Sequence, residues 1–318
     1  MRLLKIVPDN TNIQFVRIRH IAFAITALLT IAAVGLVFAR GLNFGVDFVG
    51  GVAIEEKFVT VPPLDQVRSA VDELGVGEAA LQQLGSDANS ISIRLPLADD
   101  APPGAADAVV EKVKAGLAAK FPGATFSNYT TVSGKVSDEL IRNGVLAVLL
   151  AVAGIAVFSW FRYEWQFGVS TAVAILHDVL MTLGFFALTQ MPFDLNIVAA
   201  VLTIIGYSIN DKMVIDDRIR ENMRKFRKMD MPQLIDLSVN ETLPRTVMTS
   251  LTILLALGSL LIFGGHVLRG FTSAMILGVI VGTYSSIYVS SSLLITLKLK
   301  AGTKVGSSEP TAAERAQP

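Results

Sequence analysis

Six runs of apolar residues divide the chain, at about Ile21–Ala39, Leu140–Phe161, Phe167–Thr189, Leu195–Ile215, Thr246–Phe263 and Phe271–Leu297. Each is long enough to cross the hydrocarbon core as a helix, which takes about 20 residues. The first run has no convincing small-residue cleavage site and reads as a retained helix. Between the first two runs, from Gly41 to about Ser137, the pattern changes. This stretch carries Pro, Gly and charge, and no block in it could span a membrane. From Lys298 the chain is rich in Ser, Ala, Glu and Pro and is expected to be disordered.

The stretch 41–137 has its own periodicities. GVAIEEKFV (51–59) alternates as a strand does. Pro63–Leu74 places Leu64, Val67, Val71 and Leu74 on one helical face. Leu81–Leu84 and Ser90–Leu95 read as strands on either side of the turn-rich GSDAN, Ala105–Lys120 as a second amphipathic helix and Ala124–Val132 as a last strand. The order β-α-β-β-α-β is that of the ferredoxin-like split βαβ pattern. The carboxylates of this domain are scattered as on a solvated surface, and it has neither His nor Cys, so it reads as a binding or lever domain. The expected fold class is thus a polytopic α-helical membrane protein with six transmembrane helices and an α+β domain between helices 1 and 2.

Six spans put both termini on one side. Basic residues gather at the N-terminus, at Arg162, in 218–245 and at Lys298–Lys304, all on one side of a six-span arrangement. The opposite short connections, Gln190–Asp194 and Gly264–Gly270, carry only Arg269. The positive-inside rule makes residues 1–20, the segment 218–245 and the tail 298–318 cytoplasmic and puts the α+β domain outside. Composition agrees with a membrane protein: 52% of the 318 residues are hydrophobic and 17% are charged, against about 25% charged in soluble domains. The formal net charge of +0 removes the basic field that nucleic-acid binding needs. With Cys at 0, disulfides, Fe–S clusters, thiolate zinc and a cysteine nucleophile are excluded.

Ionisable side chains inside spans are costly, about 2.5–3.5 kcal/mol each on insertion scales, and are candidates for function. In the third span Asp178 shares a face with Thr171, Ala174 and Thr182, and His177 lies on the neighbouring face. Two readings stand for this pair: a proton relay, or a structural polar pair joining helices. In the fourth span Asn210, Asp211 and Lys212 interrupt the apolar run, and Met213–Ile215 resume it. Either the membrane ends at Asn210 or Asp211 is a deliberate buried charge. Lys212 can snorkel to the interface or pair with Asp216 one turn on. The fifth span begins with Arg245 at the foot of a stripe through Thr249, Thr252 and Ser259, a face suited to a buried carboxylate partner. The sixth carries Ala274, Gly278, Gly282, Ser286 and Ser290 at intervals of four, a small-residue face for close helix packing.

Several segments resemble one family in order along almost the whole chain. They are GVDFVGG (45–51), SGKVSDELIRNG (133–144), LHDVLMTLGFF (176–186), FDLNIVAAVLTIIGYSINDKMVIDDRIREN (193–222), NETLPRTVMTSLT (240–252) and FGGHVLRGF (263–271) through GTYSS (282–286). They are similar to the SecF family, the smaller subunits of the bacterial SecDF protein-export complex, in the superfamily of proton-driven RND exporters. The resemblance implies a multi-pass protein of the inner membrane. It implies a SecD-like partner, work beside a SecYEG-type channel on unfolded exported polypeptide, and use of the proton motive force. It also implies that Asp211 and Arg245 serve proton coupling with support from Asp178, and that neither a cofactor nor a metal is needed. This chain departs from the family pattern at Lys212, where Thr is common, and at Asp216, where an aromatic is common. Three other readings stand beside this one: half of an RND-type exporter of small molecules or lipids, an intramembrane aspartyl protease using Asp178 and Asp211, and a scaffold without proton chemistry. The small exported stretch, without an evident apolar ligand groove, favours work on polypeptide over export of small molecules. Arg245 would oppose the shared-proton dyad that the protease needs.

Overall fold

Each apolar run becomes a helix because lipid offers no partner for a free backbone N–H or C=O, and a helix satisfies both internally. The computed structural model describes residues 8, 11–77, 79–83, 89–97, 102, 104–265 and 268–299. The spans are α1 (Arg19–Arg40), α5 (Gly134–Arg162), α6 (Trp165–Thr189), α7 (Leu195–Lys225), α8 (Met231–Phe263) and a composite sixth. The sixth runs through α9 (Arg269–Tyr284), a π-helical turn (Ser285–Ser290) and α10 (Ser291–Thr296). The tail expected to be disordered lies outside the described residues from 300 onward.

Two boundaries differ from the sequence pattern. The fourth run continues as helix for ten residues beyond Ile215, and the fifth helix starts fifteen residues before Thr246. The polar segment 218–245 is therefore mainly two helix ends joined by a tight turn. At 31 residues, α7 is about 46 Å long, well beyond a hydrocarbon core of about 30 Å. The projecting ends stay helical because they pack on each other: Ile219 and Met223 are buried in one cluster with Leu234, Ile235 and Val239. Asn222 Nδ2 donates to Ser238 Oγ at 3.0 Å and to Glu241 Oε2 at 2.7 Å, and Arg218 Nε donates to Glu241 at 2.7 Å. The chain before α1 is tied to this hairpin, since Asn240 Nδ2 donates to the Ile13 carbonyl at 2.8 Å.

The α+β domain has the expected order: β1 (Gly51–Lys57), α3 (Leu64–Asp72), β2 (Ala80–Gln83), β3 (Ser90–Leu95), α4 (Ala105–Lys120) and β4 (Thr125–Val132). Its sheet is antiparallel with strand order β2-β3-β1-β4. Val52 lies opposite Leu95, and Ile54 opposite Ile93, so alternate positions point to one side. There they are buried with Val67 and Val71 of α3 and Val113 and Leu117 of α4. Fully burying a side chain of this kind contributes roughly 1.5–3 kcal/mol. Leu84, expected to close the second strand, lies outside the described residues. One element was not anticipated, a helical turn α2 (Val46–Val49) within GVDFVGG that joins α1 to the sheet.

Candidate functional site

α7 packs against α6, α8 and α9 in the bundle. Its inward face carries Ile204, Ser208, Asp211, Ile215 and Ile219, the three/four spacing of a helix stripe. The small-residue face of the sixth span lies directly on it. Ala274, Gly278, Gly282 and Ser286 are all buried. A Cβ on Gly278 would collide with Ile204, and one on Gly282 would come within 3.2 Å of Ser208 Cβ. This approach puts two consecutive residues of the π-turn, Ser285 and Ser286, against α7. π-turns recur at functional sites because they rotate side chains out of the regular helical register.

Two carboxylates flank this contact. Asp178 of α6 is completely buried on the face shared with Thr171, Ala174 and Thr182. Ser208 Oγ donates to its Oδ2 at 2.6 Å and Ser285 Oγ to the same oxygen at 3.0 Å. His177 Nδ1 lies 3.1 Å from Oδ1. The other ring nitrogen of His177 is buried without a hydrogen-bond partner among the described residues.

Asp211 is differently placed, at 8% exposure. Thr246 Oγ1 donates to Oδ1 at 2.6 Å. Oδ2 is buried and has no hydrogen-bond partner among the described residues. Ser286 lies beside the carboxylate, while its hydroxyl donates to the Gly282 carbonyl at 2.7 Å. One turn toward the α+β domain, Tyr207, Ser250 and Thr283 form a hydroxyl cluster, with Ser250 Oγ 2.8 Å from each of the other two. Among the described residues, no set of three or more His, Asp or Glu side chains is arranged to hold a metal ion.

The structure brings some expected residues together and separates others. Lys212 neither snorkels nor meets Asp211. Its Nζ lies 2.6 Å from Asp216 Oδ2, and both side chains are buried, so the pair forms inside the protein rather than on the helix surface. α7 continues past the expected membrane edge, and its face with Lys212, Asp216, Ile219 and Met223 is buried there, which leaves Lys212 no route to solvent. Asn210 is exposed, about 100° around the helix from Asp211, and does not line the site. The stripe of Arg245, Thr249, Thr252 and Ser259 also does not face the carboxylate. Arg245, Thr252 and Ser259 are exposed, and the three hydroxyls donate to carbonyls of their own helix, Arg245, Met248 and Leu255. Helical spacing defines a face but not the direction in which it points. The inward face of α8 is one position on, through Thr246 and Ser250. Arg245 acts on Asp211 through its charge only; among the described residues no ion pair joins them. The sequence points Asp211 toward Tyr207 and Ser208, but Ser208 donates to Asp178 instead; Thr246, Ser250, Thr283 and Ser285 were not singled out from the sequence as a site. Their one signal there is the presence of hydroxyls within apolar spans, with Thr246 and Ser250 four residues apart.

At the N-terminal end of α7, Asp194 caps the helix by accepting from Ile197 N at 3.1 Å. Burial pushes its carboxyl above the usual carboxylate range, the Ile197 N–H opposes this, and the nearby Asp47 charge adds to it.

Six spans, a ferredoxin-like domain after the first and ionisable side chains gathered inside the bundle define a polytopic membrane protein with a polar seam of transport type. Residues 112–300 match the family described as "Protein export membrane protein SecD/SecF, C-terminal", and residues 35–55 match the "SecD/SecF GG Motif". The protein translocase subunit SecF of Cereibacter sphaeroides is 41% identical over 94% of each chain. That of Rickettsia akari is 38% identical over 92% of this chain and 94% of its own. The crystal structure of SecDF, a translocon-associated membrane protein from Thermus thermophilus, superposes with a TM-score of 0.84 at 37% identity over 92% of this chain. A second SecDF structure, in a super-membrane-facing form, gives 0.67 at 38% identity over 91%. The chain spans only 40% and 39% of the lengths of those two SecDF chains. The chain belongs to the SecD/SecF family of protein-export membrane proteins.

Proposed function

We propose that this chain is a SecF-type translocase subunit of the bacterial inner membrane that couples proton movement to polypeptide export. Both termini are cytoplasmic in this reading and the α+β domain is periplasmic, as the distribution of Lys and Arg requires. Asp211 takes up and releases the proton. The observation that carries this assignment is its buried carboxylate, held through one oxygen by Thr246 while the other oxygen has no hydrogen-bond partner among the described residues. The hydroxyls of Tyr207, Ser250 and Thr283 lead from that site toward the domain side, the direction from which protons arrive. Protonation removes the charge that Arg245 acts on and changes the acceptor offered to Thr246, so the packing of α7 on α8 shifts. Asp178 supports the site by fixing α6, α7 and the π-turn to one another.

The exposed polar face of the bundle supports a partner. Asn210, Arg245 and Thr252 cannot all face lipid without cost, because the hydrocarbon core offers no polar contact. A SecD-like subunit covers that face and completes the surroundings of Arg245, and the assembly works on unfolded polypeptide leaving a SecYEG-type channel. One charge crossing 100 mV supplies about 2.3 kcal/mol, enough to bias a two-state element appreciably. The test is Asp211→Asn in vesicles carrying the partner subunit and an imposed proton motive force. Export should lose its dependence on that force, and an unchanged dependence would remove Asp211 from the mechanism. Arg245→Met should alter the pH dependence of export; an unaltered profile would end the pairing role.

A further inference from the structure

The GVDFVGG segment has no part in the proton site, yet it touches both the helix that carries Asp211 and the sheet. Its membrane-side contacts are made by backbone and carboxylate. Gly45 N donates to the Phe193 carbonyl and Phe193 N to the Asn43 carbonyl, both at 2.8 Å. Asp47 Oδ2 accepts from Leu195 N at 3.0 Å, so a residue of α2 fills one of the free N–H groups that open α7. Phe44, Phe48 and Phe193 pack ring to ring with centroids about 6 Å apart. The approach leaves little slack, since a Cβ on Gly45 would come within 3.1 Å of Asp194 Cβ.

The sheet-side contacts are equally dense. Arg94 of β3 donates to Asn43 Oδ1 at 2.6 Å and to the Phe44 carbonyl. Asn43 Nδ2 donates to Gln82 Oε1 of β2 at 2.9 Å and to the Gln190 carbonyl at 2.8 Å. Gln82 Nε2 donates to that same carbonyl at 3.0 Å. Gly50 and Gly51, at φ of 76° and 107°, turn the chain from α2 straight into β1, and a Cβ on Gly51 would strike the Leu95 carbonyl.

From these contacts we infer that residues 41–51, with Asp47 and Asn43 at their centre, form a rigid linkage that makes the α+β domain move with the outer end of α7. Asp211 lies sixteen residues along from Leu195, about 24 Å. The proposed proton step supplies the motion; the linkage decides that the motion reaches the domain. Asp47, Asn43 and Arg94 are then positioning residues for export and take no part in proton binding.

The chain has no Cys, so introduced thiols are unique. In vesicles with the partner subunit, Asn43→Ala/Arg94→Ala should lower export about tenfold, within the usual range of inter-site coupling. Adding Gln82→Cys and Gln190→Cys and joining them with a short reducible bis-thiol cross-linker should return export to the parental rate, and reductant should remove the gain. The same bridge in an otherwise parental chain should leave export unchanged. Parental export by the loosened variant overturns the linkage, as does loss of export on bridging the parental chain, because the corner must then open. If the double variant does not accumulate, Asp47→Ala, which removes the acceptor for Leu195 N, replaces it, with the same bridge as rescue and the same two overturning outcomes. Failure of the proton reading is separate: it appears as force-dependent export by Asp211→Asn, whatever the bridge does.

Discussion

Asp178 and Asp211 look alike as sequence, each an acid set in an apolar run, yet their surroundings are opposite. Asp178 has Ser208, Ser285 and His177 around it and no exposed atom. Asp211 has Thr246 on one oxygen, Ser286 beside the carboxylate, no hydrogen-bond partner for the other oxygen among the described residues, and an exposed arginine within reach of its charge. A carboxylate surrounded by donors is a packing element whose partners hold three helices together. A carboxylate with a vacant oxygen can change protonation without stranding several neighbours. On the proposed function, the number of donors around each acid is what separates Asp178 as structural charge from Asp211 as exchangeable charge, because in a bilayer water cannot repair a lost contact.

Four measurements sharpen or break this contrast. The largest effect belongs to Asp211→Asn, which should remove a potential-dependent gain in export of about fifty-fold at 100 mV, the ratio that corresponds to one charge crossing the membrane. Asp178→Asn keeps an acceptor in place and should retain most of that gain; equal losses in the two variants would erase the distinction. Next comes Lys212→Met, which leaves Asp216 buried without its cation and should cost about 3–5 kcal/mol, read as a lower unfolding temperature in detergent. Lys212→Met/Asp216→Met should recover most of the loss, and a double variant as unstable as the single one would disprove a closed pair. Third, Ser208→Ala removes a donor to a buried carboxylate and should cost about 1.5–3 kcal/mol of stability with the pH profile of export unmoved. A shifted profile would bring Asp178 into the proton step. The smallest effect is Thr252→Val, below about 0.5 kcal/mol in the isolated chain because the residue is exposed. Co-purification of the SecD-like partner should nevertheless weaken, and unchanged recovery would show that this face lies outside the interface.

Much of the architecture was legible in residues. The six spans and the β-α-β-β-α-β order follow from apolar runs and from periods of two and about 3.6, which depend on local geometry alone. The small-residue face of the sixth span was legible for the same reason, since only Gly, Ala and Ser let two helices approach as Gly278 and Ile204 do. The Lys212–Asp216 pair was legible as an i,i+4 spacing, although its burial was not. The polar stripe of α8 was the failure. Its spacing was real, but the face that meets α7 is the neighbouring one, through Thr246 and Ser250. α2 was missed because a four-residue helical turn has no period to detect, and the hairpin beyond the membrane because polar residues hide helix ends that pack only on each other.

The sequence by itself determined how many helices cross the membrane, what kind of domain lies between the first two and which acids are candidates for chemistry. Each of these is set by local pattern and by the cost of placing polar groups in lipid. Only the tertiary structure decided that Asp178 is ringed by donors while Asp211 is held by Thr246, that Lys212 is buried against Asp216, and that GVDFVGG joins α7 to the sheet. Those facts depend on contacts between residues up to about 150 positions apart, such as Asp47 with Leu195. Helical and strand periodicity reports which residues share a face, whereas the partner of that face is chosen by packing.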